Sequence, residues 1–199
     1  ASYRLLLRRR FDMGKVIAIV GQIASGKTTL ARFMEAHSFE RVVTYTTRPP
    51  RKNEKSWDGV SYHFLSDDEF TEKAESGFFA ETTEYNAKFG HVRYGTSRES
   101  LETPNGVNKV IVLNPQGVIQ LKDAGYDIFI VYLDMPQEAL MRRALQRGDD
   151  PAEIGRRIAD DTRLFRRLEN PAISGEYVNL TVSNPELLPN QITELIDRK

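Results

Sequence analysis

The chain has 199 residues, with 28 lysines and arginines balanced by 28 aspartates and glutamates, 40% hydrophobic residues and no cysteine. This length suits one compact core with small inserted lobes. The zero formal net charge excludes a global basic field that would draw the chain to nucleic acid or an anionic membrane, and the missing thiols exclude disulfides, thiolate metal sites and cysteine nucleophiles. No apolar run approaches the roughly 20 residues that a membrane-spanning helix needs. The composition fits a reducing, cytoplasmic setting.

At the start of the chain, Leu5-Leu6-Leu7 precedes Arg8-Arg9-Arg10, the reverse of a signal peptide's order. Residues 1–12 therefore read as a leader or a basic arm ahead of Met13. Lys15 to Val20 is a short apolar run suited to a strand buried on both faces of a parallel sheet. Gly21 to Lys27 follows as a loop, Thr28 to His37 as a helix, and Arg41 to Tyr45 as a second strand. Thr46 to Asp58 is rich in proline, arginine and lysine without periodicity, which predicts a loop. Val60 to Leu65 alternates as a strand with one exposed face.

Ser66 and Glu69 have the spacing of a capping box, opening a short helix that Gly77 closes. Phe78 to Tyr85 and Phe89 to Tyr94 predict antiparallel strands around an Asn86-Ala87-Lys88 turn. Thr96 to Glu99 has the spacing of a second capping box. Lys109 to Leu113 and Asp127 to Leu133 read as buried strands flanking a helix over Gln116 to Asp123. Pro136 to Arg147 is a strongly basic helix, and Asp150-Pro151-Ala152-Glu153 starts the next with proline at its first helical position. Tyr177 to Val182 is a last strand and Pro185 to Arg198 a closing helix. The alternation predicts an α/β fold: a parallel five-stranded sheet with helices on both faces. Segment 46–97 breaks the rhythm with consecutive strands and reads as an inserted antiparallel lobe.

Gly21-Gln22-Ile23-Ala24-Ser25-Gly26-Lys27-Thr28 fits the phosphate-loop (P-loop) pattern G-x-x-x-x-G-K-[ST] at every position. Glycines let the backbone turn tightly and bring N–H groups against phosphate oxygens, and the helix that begins there adds its positive end. The candidate ATP-binding residues are Gly21, Ala24, Ser25, Gly26, Lys27, Thr28 and Thr29. Lys27 is expected to reach the β- and γ-phosphates, and the Thr28 hydroxyl to ligate Mg2+ brought with ATP. Such a loop implies a nucleoside triphosphate without saying which reaction, because switch proteins, transporters and kinases share it.

Further motifs follow in order: Thr46-Thr47-Arg48-Pro49-Pro50-Arg51, Asp58-Gly59-Val60-Ser61-Tyr62-His63-Phe64, Phe79-Ala80-Glu81 and Tyr94-Gly95-Thr96. Taken singly, paired arginines in a polar loop are ordinary solvated surface, and the tyrosines ordinary strand residues. Taken in order behind the phosphate loop, from about Lys15 to the C-terminus, they resemble the guanylate kinase family, whose pattern is S-x-T-T-R-x-P-R, D-G-x-x-Y-x-F, F-x-E and Y-Y-G-[ST]. The resemblance implies that Arg48 and Arg51 hold the phosphate of an acceptor monophosphate, with hydroxyl donors from Tyr62 and Tyr94. It implies that Glu81 accepts from the N1–H and 2-amino group of guanine, that Thr44 donates to O6, and that Thr96 assists at the base.

The family's R-x-x-x-R-G lid matches Arg143, Arg147 and Gly148, with Arg157 shortly after, and places the lid at 140–159. The lobe is then 46–97 and the core 13–45, 98–139 and 160–199. Lys27, Arg48, Arg143, Arg147 and Arg157 are the candidate catalytic cations, because phosphoryl transfer is mainly positioning and charge neutralisation. Arg163, Arg166 and Arg167 read as ordinary helix-surface charges, and His37, His63 and His91 have no metal-ligand spacing.

The chain departs from the family's D-x-D-x-Q-G at Val112-Leu113-Asn114-Pro115-Gln116-Gly117. The first acid of that pattern sits near the magnesium shell, and the second helps to read the guanine amino group. Asn114 keeps one acceptor oxygen without charge and remains an acceptor-binding candidate; Asp134 could compensate in part. The expected activity is transfer of the ATP γ-phosphoryl group to GMP or dGMP by a monomer or homodimer, without nucleic acid or membrane partners. Another monophosphate or ribosyl bisphosphate as acceptor, and a non-catalytic nucleotide- or phosphopeptide-binding module, stay open.

Overall fold

A computed structural model describes residues 14–50, 59–60, 62–87, 90–169 and 180–183. The chain divides into two compact units, one formed by the stretches up to Arg41 and from Thr103 onward, the other by Val42–Glu102.

Among its described residues the first unit contains a five-stranded parallel sheet of order β2-β7-β1-β8-β9. Its strands are β1 (Val16–Gly21), β2 (Glu40–Arg41), β7 (Lys109–Val112), β8 (Ile128–Leu133) and β9 (Leu180–Val182). Every residue of β1 and β8 is buried, as their unbroken apolar runs demand of strands covered on both sides. One face carries Ile17, Ile19, Val110, Phe129, Val131 and Leu133. Leu30, Ala31 and Met34 of α1 (Lys27–Glu35), Leu140 and Ala144 of α4 (Gln137–Gln146), and Ile154 and Ile158 of α5 (Pro151–Glu169) pack into the same core. On the other face Tyr132 stacks on Phe165 of α5, with ring centroids 5.5 Å apart. Helix α3 (Pro115–Asp123) buries Val118 and Leu121.

The helix starts follow their local chemistry. Asn114 caps α3, its Oδ1 accepting from the Gly117 N–H at 2.8 Å, and Pro115 takes a position where no N–H is needed. Asp150 does the same for α5 by accepting from the Glu153 N–H at 3.0 Å ahead of Pro151.

The second unit contains a four-stranded sheet of order β4-β3-β6-β5, from β3 (Thr44–Thr46), β4 (Tyr62–Phe64), β5 (Phe79–Ala87) and β6 (Gly90–Ser97). The β3–β6 and β5–β6 pairs are antiparallel, as expected of the lobe, and the parallel β3–β4 pair is its one departure among the described strands. Residues 47–61 separate β3 from β4, long enough for a parallel return, which needs about a dozen residues. Helix α2 (Asp67–Glu75) opens on the expected capping box: the Glu69 N–H donates to Ser66 Oγ at 3.2 Å and the Ser66 N–H to Glu69 Oε2 at 2.7 Å. Its Phe70 stacks on Phe79 with centroids 4.6 Å apart, beneath the Arg93 guanidinium.

Two local expectations are corrected. The single strand over Arg41 to Tyr45 is two strands in two sheets: Arg41 pairs with Val110, whereas Thr44 pairs with Tyr62. The second capping box does not form. Thr96 and Ser97 belong to β6, Glu99–Leu101 is a 3-10 turn without a side-chain cap, and the Thr96 hydroxyl is committed to Glu81. The expected closing helix, residues 1–13, Phe89 and Tyr177 to Asn179 lie outside the described residues.

Candidate active site

In the first unit, the Gly21–Thr28 loop sits at the C-terminal end of β1 and runs into α1. Gly26 adopts φ 103, a left-handed conformation that glycine takes without steric cost. At Gly21 a Cβ would lie 2.5 Å from Ser25 Oγ and 3.0 Å from the Leu133 carbonyl oxygen, so a side chain there would displace the Ser25 hydroxyl. Ala24 holds φ 57, which is strained for a residue with a Cβ. Ser25 is buried, and among the described residues its Oγ has no hydrogen-bond partner.

Lys27 curls back onto the loop, donating from Nζ to the Gly21 carbonyl at 2.6 Å and the Gln22 carbonyl at 2.7 Å. Desolvation lowers its pKa to about 8; the Asp161 charge acts against that shift, while Arg157 and Arg147 reinforce it. Thr28 and Thr29 are exposed on the first turn of α1. Among the described residues no group of three or more histidines or acids is placed to hold a metal ion. Mg2+ is characteristically held by one or two protein oxygens plus substrate phosphates, so the single Thr28 hydroxyl beside a phosphate loop fits an ion that arrives with its nucleotide.

The cations expected over the phosphates occupy α4 and α5. Arg143 of α4 reaches the loop, its Nη1 lying 3.4 Å from the Ser25 carbonyl oxygen. Arg147 follows α4 and pairs with Asp149. Arg157 is half-buried on α5, and its charge acts on both Lys27 and Asp161. Arg156, by contrast, bonds Glu153 and Asp160 on its own helix.

In the second unit, strand register determines which side chains share a face, because residues two apart point the same way. Thr44 is opposite Tyr62, Thr46 opposite Tyr94, and Glu81 opposite Thr96. Thr44, Tyr62, Glu81, Tyr94 and Thr96 therefore line one face, while Tyr45, His63 and Arg93 point to the other. The Arg48 guanidinium lies over that candidate face, 5.3 Å from the Tyr62 ring centroid and 5.7 Å from that of Phe64, and donates to the Pro49 carbonyl at 2.9 Å. The Thr46 hydroxyl accepts from the Arg48 N–H at 3.0 Å and holds the start of that loop.

Glu81 is 4% exposed. Its Oε1 accepts from the Thr96 hydroxyl at 2.6 Å, whereas Oε2 is buried with no partner among the described residues. Burial pushes its pKa up to about 7, opposed by the Thr96 hydrogen bond. A buried acceptor with an open oxygen is the group that an N–H donor would complete.

Sequence reasoning missed two residues. Tyr85 stacks on Tyr94 with centroids 5.8 Å apart and hydroxyls 3.3 Å apart, and so extends the Tyr62–Tyr94 row. The two-residue period from Glu81 through Thr83 to Tyr85 was the signal for it. Asp161 accepts from the Ile23 N–H of the loop at 2.8 Å. Its signal was the i, i+4 spacing from Arg157.

The remaining candidates are placed differently. Arg51 lies outside the described residues. Asn114 spends its Oδ1 on the α3 cap. Val112 packs on the core, and Asp134 is exposed at the end of β8.

A parallel sheet with a glycine-lysine phosphate loop between its first strand and helix, backed by arginines on later helices, defines a P-loop nucleotide-binding protein. The guanylate kinase family model matches residues 13–171, and the chain belongs to that family. It is similar to the guanylate kinase of Sphingopyxis alaskensis, 37% identical over 147 residues, covering 71% of this chain and 64% of that protein. The guanylate kinase of Alkalilimnicola ehrlichii is 33% identical over 153 residues, covering 74% and 72%, and that of Clostridium acetobutylicum 35% over 142 residues, covering 69% and 65%. The match to the first of these thus spans just under two thirds of that relative's length. Among solved structures, guanylate kinase from Anaplasma phagocytophilum shares the fold at a TM-score of 0.64 and 22% identity, covering 94% of this chain and 86% of that one. No helix among the described residues is long and apolar enough to cross a membrane.

Proposed function

We propose that the chain is an ATP-dependent nucleoside monophosphate kinase that moves the γ-phosphoryl group of ATP to GMP or dGMP. An acceptor phosphate oxygen forms the new P–O bond, the bond between the γ-phosphorus and the β,γ-bridging oxygen breaks, and ADP leaves with the electron pair. No general base is needed, because the nucleophile is already anionic. Lys27 leaves the loop carbonyls to meet the β- and γ-phosphates, and Arg143, Arg147 and Arg157 neutralise charge on the transferring group. Thr28 would hold Mg2+ together with the phosphates, and the ion would supply charge neutralisation there. Arg48, Arg51, Tyr62 and Tyr94 hold the acceptor phosphate, and Thr44, Glu81 and Thr96 read the base. The core, lobe and lid over the ranges given above divide this work, in a cytoplasmic monomer or homodimer.

The observation that carries this reading is the buried, half-satisfied Glu81 carboxylate, on the sheet face that also presents Thr44, Tyr62, Tyr94 and Thr96. Guanine offers it two adjacent N–H donors; adenine offers no such pair. A second reading, a different monophosphate or ribosyl bisphosphate as acceptor, is favoured by the engagement of Asn114 in the α3 cap.

The test is ADP release from MgATP with GMP, dGMP, AMP, CMP, UMP, dTMP and ribosyl bisphosphate. Turnover confined to GMP and dGMP, lost in Lys27→Met, is expected. Turnover with another acceptor alone would move the substrate, and ATP binding without turnover would point to a binding module.

A further inference from the structure

Besides its internal bonds, the phosphate loop is tied to α5. Ala24 sits in the left-handed region at φ 57, where its Cβ is disfavoured, so its neighbours must hold it there. Three of the loop's attachments lie just before Ala24. The Ile23 side chain is buried in the core. The Ile23 N–H donates to Asp161 Oδ2 at 2.8 Å across 138 residues of sequence. Gln22 Nε2 donates to Thr162 Oγ1 at 3.2 Å, and that hydroxyl is itself oriented by donating to the Ile158 carbonyl at 2.7 Å. Two consecutive residues of α5 thus grip two consecutive residues of the loop.

We propose that Asp161 is a positioning residue for ATP binding: its carboxylate holds Ile23, and with it the strained turn at Ala24, in the shape that receives the triphosphate. This rests on the phosphate-loop reading given above. An acidic side chain beside a polyphosphate site otherwise opposes binding by like-charge repulsion, so its place there calls for a gain. That gain is a charge-assisted hydrogen bond to a loop N–H, which is stronger than a neutral one. Burial raises the Asp161 pKa, while the Ile23 N–H, Lys27 and Arg157 act to keep the carboxylate charged. Arg157 lies one turn earlier on α5, so the same stretch of helix supplies a cation for the nucleotide and an anion for the loop.

The experiment measures MgATP and GMP affinities by calorimetry on the full chain. Asp161→Ala is expected to weaken MgATP binding by about tenfold, the loss of one charge-assisted bond, with GMP affinity within about twofold of the parent. Asp161→Asn keeps an acceptor oxygen for Ile23 without the charge and is expected to restore part of that loss. Asp161→Glu keeps the charge but displaces the oxygen by one methylene; it covers the case in which the alanine variant does not fold, and weakened MgATP binding is expected there too. Parental MgATP affinity in Asp161→Ala or Asp161→Glu, or an equal loss of both ligands, would overturn the proposal. MgATP affinity unchanged in Lys27→Met would instead overturn the phosphate-loop reading itself.

Discussion

The Glu81 carboxylate lies in a sheet with one oxygen bonded to Thr96 and the other without a partner. Raising its pKa from 4.5 to about 7 means that the fold disfavours the charged form. The stability associated with this group is fully present below about pH 4.5 and is lost as pH rises through about 7, because the unfolded chain ionises first. The shift corresponds to about 3 kcal/mol at alkaline pH. Glu81→Gln is therefore expected to raise the melting temperature at pH 8, with the gain shrinking below pH 5, while weakening GMP binding. Melting curves across that range and GMP titration check both halves, and a gain independent of pH would contradict the assignment. Residue by residue, the loop was legible in the sequence because its pattern is local: Gly26 and Lys27 need only their neighbours. Arg48 was legible as a motif but not as a buried side chain resting on two rings. Asp161 was harder to read: its i, i+4 spacing from Arg157 is local, but the loop N–H that it holds is 138 residues away.

Elements were read well where the signal lay inside them. β1 and β8 announced burial through unbroken apolar runs, and the α2 capping box formed as spaced. The same spacing failed at Thr96–Glu99, because β6 pairing with β5 continued through it and Glu81 claimed the hydroxyl. The stretch from Arg41 to Tyr45 looked like one strand because both halves are strand-forming; only pairing partners in different sheets divide it. Helix α3 shows how an element can also use a residue expected in a binding site. Asn114 is its N-cap, so Asn114→Ala is expected to destabilise the protein by about 1 kcal/mol, read by denaturant melts. Asn114→Asp keeps the cap and adds a negative charge at the positive end of the helix, so stability at or above the parent is expected. It is also expected to lower the KM for GMP; a raised KM would mean that the site is tuned to another acceptor.

For the whole molecule, the order of strands and helices was enough to foresee a parallel sheet clad on both faces, because burial and alternation are properties of the chain itself. The limits of the second unit, Val42–Glu102, exceed the expected 46–97 at both ends. Composition marked the polar loop, but the strand and turn that complete the unit's packing have no compositional edge. Zero formal charge was likewise counted with every acid ionised. Glu81, its pKa raised to about 7 by burial, breaks that count: it is protonated near pH 6, and on the proposed reading a bound base displaces that proton, because N–H donors need the carboxylate. Acceptor binding at pH 6 should therefore release close to one proton more than it does in Glu81→Gln. The calorimetric enthalpy of GMP binding would then depend on the ionisation heat of the buffer more strongly in the parent than in Glu81→Gln at pH 6, where the GMP phosphate also titrates, and the difference would vanish by pH 8.5.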